Sequence, residues 1–246
     1  MKKFLLIFIT LMSVFLLASN AWADIVVPNS LATTEGNSDN TYPFSTASDS
    51  MRYQQVYDSG QFSAIGGTFY IDEILFRPDL YSGVAFSKTL SSIDIFLSTT
   101  DKAVGGLSTT FADNVGVDET LVSSGALSIS SAFTGTEPKD FDIIIALSTS
   151  FLYDPNLGNL LLDVKNYGNN AFATFFDAHS ASEGSIQRLF SSRGGVNDAT
   201  GSTGGSNYGL VTKFNVTPVP EPATMLLLGS GLAGLFGLRR KFRKRQ

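Results

Sequence analysis

A chain of 246 residues with no cysteine excludes a disulfide-stapled scaffold, a cysteine nucleophile and a thiolate metal site. Its formal charge of −5 is unevenly spread: Asp24 to Pro220 hold 9 Lys and Arg against 21 Asp and Glu, a net of −12, whereas Arg239 to Gln246 hold +6. An acidic body lacks the basic footprint that phosphate binding needs, so nucleic acid is not an expected partner.

The chain opens with Lys2 and Lys3, an apolar run from Phe4 to Leu17, and Ala21-Trp22-Ala23 before Asp24. A positive start, a short greasy stretch and a small-x-small site predict a secretory signal peptide over 1–23. Ala21 and Ala23 are then the small residues that signal peptidase reads, and the mature chain starts at Asp24. The apolar run is short for a membrane span. The remainder, up to the carboxy-terminal segment, is long enough for one domain (24–217) with a sizeable core.

In chain order, "NSLATTEGNSDNTYPFSTASDS" is poor in apolar residues and reads as a loose lead-in. Then come short runs with period two. Tyr70, Asp72, Ile74 and Phe76 share one side of "YIDEILFR"; Ile93, Ile95 and Leu97 share one side of "IDIFLS". Phe141, Ile143, Ile145 and Leu147 alternate with more polar or smaller neighbours, Leu160, Leu162 and Val164 share a face, and so do Leu210, Thr212, Phe214 and Val216. Such alternation predicts half-buried strands. Between them lie turn-forming stretches, "RPDLYSG", "DKAVGG", "TGTEPKD", "DPNLGN" and "NYGNN", rich in Gly, Pro, Asn and Asp. Ser191 to Gly209 reads as a long mobile loop. With no capped helical period in the body, the expected fold is all-β: an antiparallel, jelly-roll-like β-sandwich.

Chemistry is hard to find in this body. His179 is the only histidine, too few for a zinc site, and Asp177 two residues earlier reads as a strand neighbour more than a partner in catalysis. Asp113, Asn114, Asp118 and Glu119 sit in one stretch that could offer oxygen ligands to calcium, but without the twelve-residue loop pattern. Tyr53, Tyr57, Tyr81 and Tyr208 are candidates to stack on sugars. No catalytic, cofactor-binding or metal-binding residue is assigned, and no cofactor is expected.

The tail is more informative. Pro218, Pro220 and Pro222 keep the chain extended around Glu221, because each fixes φ and disfavours helix in the residue before it. From Ala223 to Leu238 every residue is apolar or small. A helix over about 223–238 would be about 24 Å long, slightly short of a hydrocarbon core of roughly 30 Å. Arg239, Arg240, Lys241, Arg243, Lys244 and Arg245 follow in a basic tail, 239–246, which acts as a stop-transfer signal and keeps that end cytoplasmic. Gly229, Ala233 and Gly237 recur every four residues, a small-residue face for another membrane helix.

Val219, Pro220, Glu221 and Pro222, then a glycine-bearing apolar run, then the basic end, together resemble the PEP-CTERM sorting signal of Gram-negative bacteria, over 218–246. The resemblance implies recognition by an exosortase, a membrane transpeptidase or protease that cuts near Pro-Glu-Pro and releases or re-attaches the body. Val219 to Pro222 would be recognition elements of a substrate. The expectation is an exported protein, briefly anchored in the inner membrane, then at the cell surface or outside. Its role would be structural or adhesive, in envelope, matrix or biofilm, with exopolysaccharide as a possible partner and no enzymatic activity. The alternative is a secreted polysaccharide hydrolase on the same scaffold.

Overall fold

The structure, a computed structural model, describes residues 23–45, 50–168, 174–180, 184–191, 195–204, 207–219 and 230. Among these, strands and short 3-10 turns are arranged in three antiparallel sheets. The first sheet has the order β1 (Ala23–Val27), β12 (Thr212–Pro218), β4 (Phe69–Phe76), β7 (Ile143–Tyr153). The second has the order β10 (Ile186–Phe190), β3 (Met51–Tyr57), β8 (Asn159–Asn166), β5 (Phe86–Thr100), β6 (Thr120–Ser131). A small third sheet joins β11 (Tyr208–Leu210), β9 (Phe176–Ser180) and β2 (Ser38–Asn40). The all-β expectation holds.

The two larger sheets share one core. Phe214 of β12 meets Tyr57 of β3 edge-on at 5.0 Å between ring centroids. Phe62, from the 3-10 turn Ser59–Phe62, packs against Phe69, Tyr153 and Phe214. At the other end Phe176 of β9 joins Phe44, Phe76 and Phe86, so the small sheet closes the core there. Buried rings of this kind contribute their apolar area, about 25 cal/mol per Å², plus about 0.5–1.5 kcal/mol per well-placed pair.

Antiparallel pairing also fixes the ends of the body. At one end, the tail end, β12 finishes, β1 and β4 begin and β7 finishes, since Ala23 lies opposite Val216, and Phe69 opposite both Pro218 and Tyr153. The turn Asp154–Gly158 carries the chain from β7 to β8 at this end, where β3 and β5 also finish. The small sheet lies at the opposite, far end, bridged to the large one by Pro78 and Phe176.

Several expectations needed correction. In β4 the inward residues are Phe69 and Ile71, then Ile74 and Phe76. A register shift between Ile71 and Glu73 is a β-bulge at Asp72, which moves the alternation by one residue and leaves Tyr70 and Asp72 outside. In β8 both faces are covered: Leu161 and Asp163 are as buried as Leu162 and Val164. The cause is the segment 101–119, which folds back over the outer face of the second sheet. There Leu107 and Phe111 form a second core with Val56, Leu161 and Leu189. The described part of the presumed lead-in, 29–45 and 50, contains β2 and the buried Leu31 and Phe44. The presumed mobile loop contains a 3-10 turn at Gly195–Asn197 and bridges Thr110 to Thr200 and Phe190 to Ser202. The predicted signal peptide lies outside the described residues except for Ala23, and the predicted membrane helix except for Ser230. Among the described residues no helix is long and apolar enough to cross a membrane.

Candidate functional site

The place where the body hands over to the tail is built on β12. This strand is internal to its sheet, flanked by β1 and β4, and Val216 faces Ala23 on one side and Ile71 on the other. Beyond it, among the described residues, Thr217 and Pro218 pair only with β4. Proline is tolerated there because a strand end with one open side needs fewer ladder bonds. Val219 follows, its N–H donating to the Thr68 carbonyl at 3.0 Å. Alternate residues fasten the strand from above and below. Phe214 and Val216 are buried in the core. Outward, Asn215 donates to Glu73 at 2.6 Å and Thr217 to Asp72 at 2.7 Å.

The first strand starts beside this exit. Lys213 holds the Asp24 carboxylate at 2.5 Å, and that hydrogen bond, opposed by burial, keeps the Asp24 carboxyl below its ordinary range. Next to Thr68 the end of the body is hollowed by a pocket of about 300 Å³ lined by Ser59, Phe62, Gly66, Gly67, Pro155 and Asn156. The rim is acidic. Tyr153, buried and donating to the Gly158 carbonyl at 2.8 Å, has its phenol pushed well above the usual range by burial first, then by Asp58, Asp154 and Asp118 around it.

A second arrangement occupies the far end. Arg77, from the residue after β4, and Asp177 of β9 form a buried ion pair, exposed by 1% and 0%, with Nη2–Oδ2 at 2.6 Å. Arg77 Nε also donates to Asp177 at 2.7 Å, and Nη2 donates to the Thr34 carbonyl at 2.6 Å. The guanidinium lies over the Phe141 ring, 4.8 Å from its centroid. The Gly36 N–H donates to the other Asp177 oxygen at 2.9 Å. A side chain at Gly36 would run into the Ala178 carbonyl and Asp177 itself, so glycine permits this close approach. Two further carboxylates converge. Glu35 accepts from the Leu80 N–H at 2.9 Å, and Asp79 accepts from the N–H groups of Tyr81 and Ser82.

Oxygens of Glu35, Asp79 and Asp177 all lie within 4.8 Å of one another. These three could surround a hard cation through oxygen, although Arg77 already matches one of their charges. Burial pushes the Asp177 carboxyl up to about 7 against the pull of Arg77, with the Glu35 charge adding to the rise. Burial likewise raises Glu35. The arrangement is one of crowded carboxylates competing for a single guanidinium.

Asp177, read from the sequence as a strand neighbour of His179, lies with it in β9. Its oxygens go to Arg77 and Gly36 rather than to His179. The partners Glu35, Arg77 and Asp79 escaped notice because they are far from Asp177 in sequence; only "RPD", two charges around a proline, hinted at them. The suggested calcium ligands are dispersed: Asp113 accepts from Ser108, Asn114 is buried against Gln54, and Asp118 accepts from the Thr99 N–H. Tyr53 and Tyr57 are wholly buried, so they are core residues and present no face to a sugar. Tyr208 is half-buried and donates to the Asp39 carbonyl, while Tyr81 stands 82% exposed. Of the sorting and processing residues, Ala23 opens β1 and Val219 follows β12. Ala21, Pro220, Glu221, Pro222, Gly229, Ala233, Gly237 and the basic residues from Arg239 to Arg245 lie outside the described residues.

Comparison with curated proteins finds no match. The family model described as the PEP-CTERM protein-sorting motif matches residues 218–241, beginning on Pro218 at the end of β12. The chain therefore carries the sorting motif of a PEP-CTERM protein, which makes it an exported protein with an exosortase as its processing partner.

Proposed function

We propose that this protein is a non-catalytic surface or extracellular β-sandwich, jelly-roll-like in build, with a structural or adhesive role in envelope, matrix or biofilm. The carrying observation is the sorting motif at 218–241, set directly after the last strand of a body with its own closed core. On this reading residues 1–23 are removed by signal peptidase. The segment over about 223–238 holds the chain in the inner membrane until exosortase acts, and the small-residue face Gly229, Ala233, Gly237 meets a membrane helix. The far end then points away from the membrane, and Tyr81, exposed there, is the ring offered to exopolysaccharide.

The test has two parts. Replacing Pro220, Glu221 and Pro222 together by alanine leaves full-length protein in the inner membrane, seen by fractionation and intact mass. Unchanged processing of that variant would refute the role of the motif. In a pull-down with the host's own polysaccharide, the processed protein is retained and Tyr81→Ala is not; equal retention of both removes Tyr81 from the reading.

A further inference from the structure

Of the arginines among the described residues, Arg52 and Arg77 are held by Asp163 and Asp177, and no carboxylate pairs with Arg188. Arg188 stands on β10 opposite Gln55 of β3, and Phe190, two residues on, shares its face of the sheet. Its guanidinium is set among rings. The central carbon lies 3.9 Å from the centroid of Tyr208, 4.8 Å from that of Phe190 and 6.0 Å from that of Tyr42. Tyr42 and Phe190 touch each other, with centroids 5.3 Å apart. All four side chains are half-buried.

The rings take water away without supplying an acceptor. Nε and Nη1 of Arg188 are buried and bond to nothing among the described residues. Acceptors close by are committed elsewhere. Gln55 Oε1 accepts from the Tyr53 hydroxyl and from the Leu210 N–H. Asp39, whose carbonyl takes the Tyr208 hydroxyl, turns its carboxylate to Ser82. A charged donor stripped of water and left unbonded is costly, while a guanidinium stacked on rings keeps its edge available to an anion. The third nitrogen, Nη2, lies beside Gly204, an exposed residue with no side chain to cover it.

We infer that Arg188 and the rings of Tyr42, Phe190 and Tyr208 form a binding site for a carboxylate-bearing sugar, a uronic acid unit of an acidic polysaccharide. The carboxylate takes the Nη2 edge of the guanidinium in a charge-assisted bond, and the apolar face of the sugar lies on the aromatic wall. An acidic peptide has no ladder to join at this place, because Phe190 already exchanges backbone bonds with Ser202 in both directions. That the sugar belongs to a surface polysaccharide rests on the adhesive reading above; that it carries a carboxylate follows from Arg188.

The experiment uses the full chain in mild detergent and calorimetry at one ionic strength. The probes are oligomers of galacturonate and of mannuronate, their methyl esters, which keep the ring and lose the charge, and dextran sulfate, which keeps a charge and lacks the carboxylate. At least one uronate is expected to bind about tenfold or more tightly than its ester and than dextran sulfate, a difference of about 1.4 kcal/mol. Arg188→Met keeps an unbranched chain among the rings and loses that preference. Its thermal midpoint stays at or above the native one, since no bonded partner is lost. Uronates bound no better than their esters or than dextran sulfate, or bound equally by Arg188→Met, overturn the site. Should Arg188→Met fail to fold, the ester comparison on the native protein decides alone. Retention of the host's polysaccharide by a protein with no preference for uronates removes this site and leaves the adhesive reading standing; loss of both removes both.

Discussion

At the scale of single residues, Arg77 has the most to lose. Among the described residues it is the cation paired with Asp177, in a site where Glu35 and Asp79 also press in. Removing one partner of a buried pair costs about 3–5 kcal/mol, because the other charge stays behind. Arg77→Ala is expected to lose that much in urea unfolding at about pH 8 and less at about pH 5, where Asp177 takes up a proton instead. The wild-type protein has a matching signature. Asp177 is at about 7 when folded against an ordinary 3.8. With the folded value raised, the native state holds the proton that the unfolded chain releases. Its contribution to stability is therefore complete below the ordinary value and disappears as pH climbs through about 7. Stability should decline between about pH 5 and about pH 8, with a shallower slope in Asp177→Asn. An equally steep slope in that variant would show that another group is responsible.

At the scale of elements, the alternation of apolar residues located the main strands, and it failed where a second influence acted on them. In β4 the bulge at Asp72 shifts the phase, and nothing in "YIDEILFR" announces an extra residue. In β8 the pattern marks Leu160, Leu162 and Val164 as inward, but the return of 101–119 buries Leu161 too. A covering segment that arrives from a distant part of the chain leaves no period of its own. Leu161→Ala should therefore cost about 2–5 kcal/mol, comparable to Leu162→Ala, because both leave a cavity. If Leu161 faced solvent, the loss would stay within about 0.5 kcal/mol. The ion pair at the far end was illegible for the same reason: Arg77 and Asp177 are 100 residues apart. The tail is the opposite case, since its signal is contiguous from Val219 to the basic end.

At the scale of the whole molecule, the first and last strands lie side by side and run oppositely, so the chain enters and leaves the body at one end. The chain has no cysteine, which makes engineered labels unambiguous. Spin labels at Asp24→Cys and Thr217→Cys should report backbone sites about 8 Å apart, two residues off register on neighbouring strands. Labels at Thr217→Cys and Tyr81→Cys should lie beyond about 20 Å, the rise of β4 from Tyr70, which faces Thr217, to Phe76 at roughly 3.3 Å per residue. Similar distances for both pairs would contradict the placement of the two ends.

The internal position of β12 also bears on how the protein withstands load. If the body is held at the surface through its carboxy-terminal end, as proposed above, drag from flowing liquid pulls along the axis of β12. Ladder bonds to β1 and β4 run across that axis, so the force is divided among many of them at once and does not peel them off singly. Held in that way, the body should fail under tension late and abruptly.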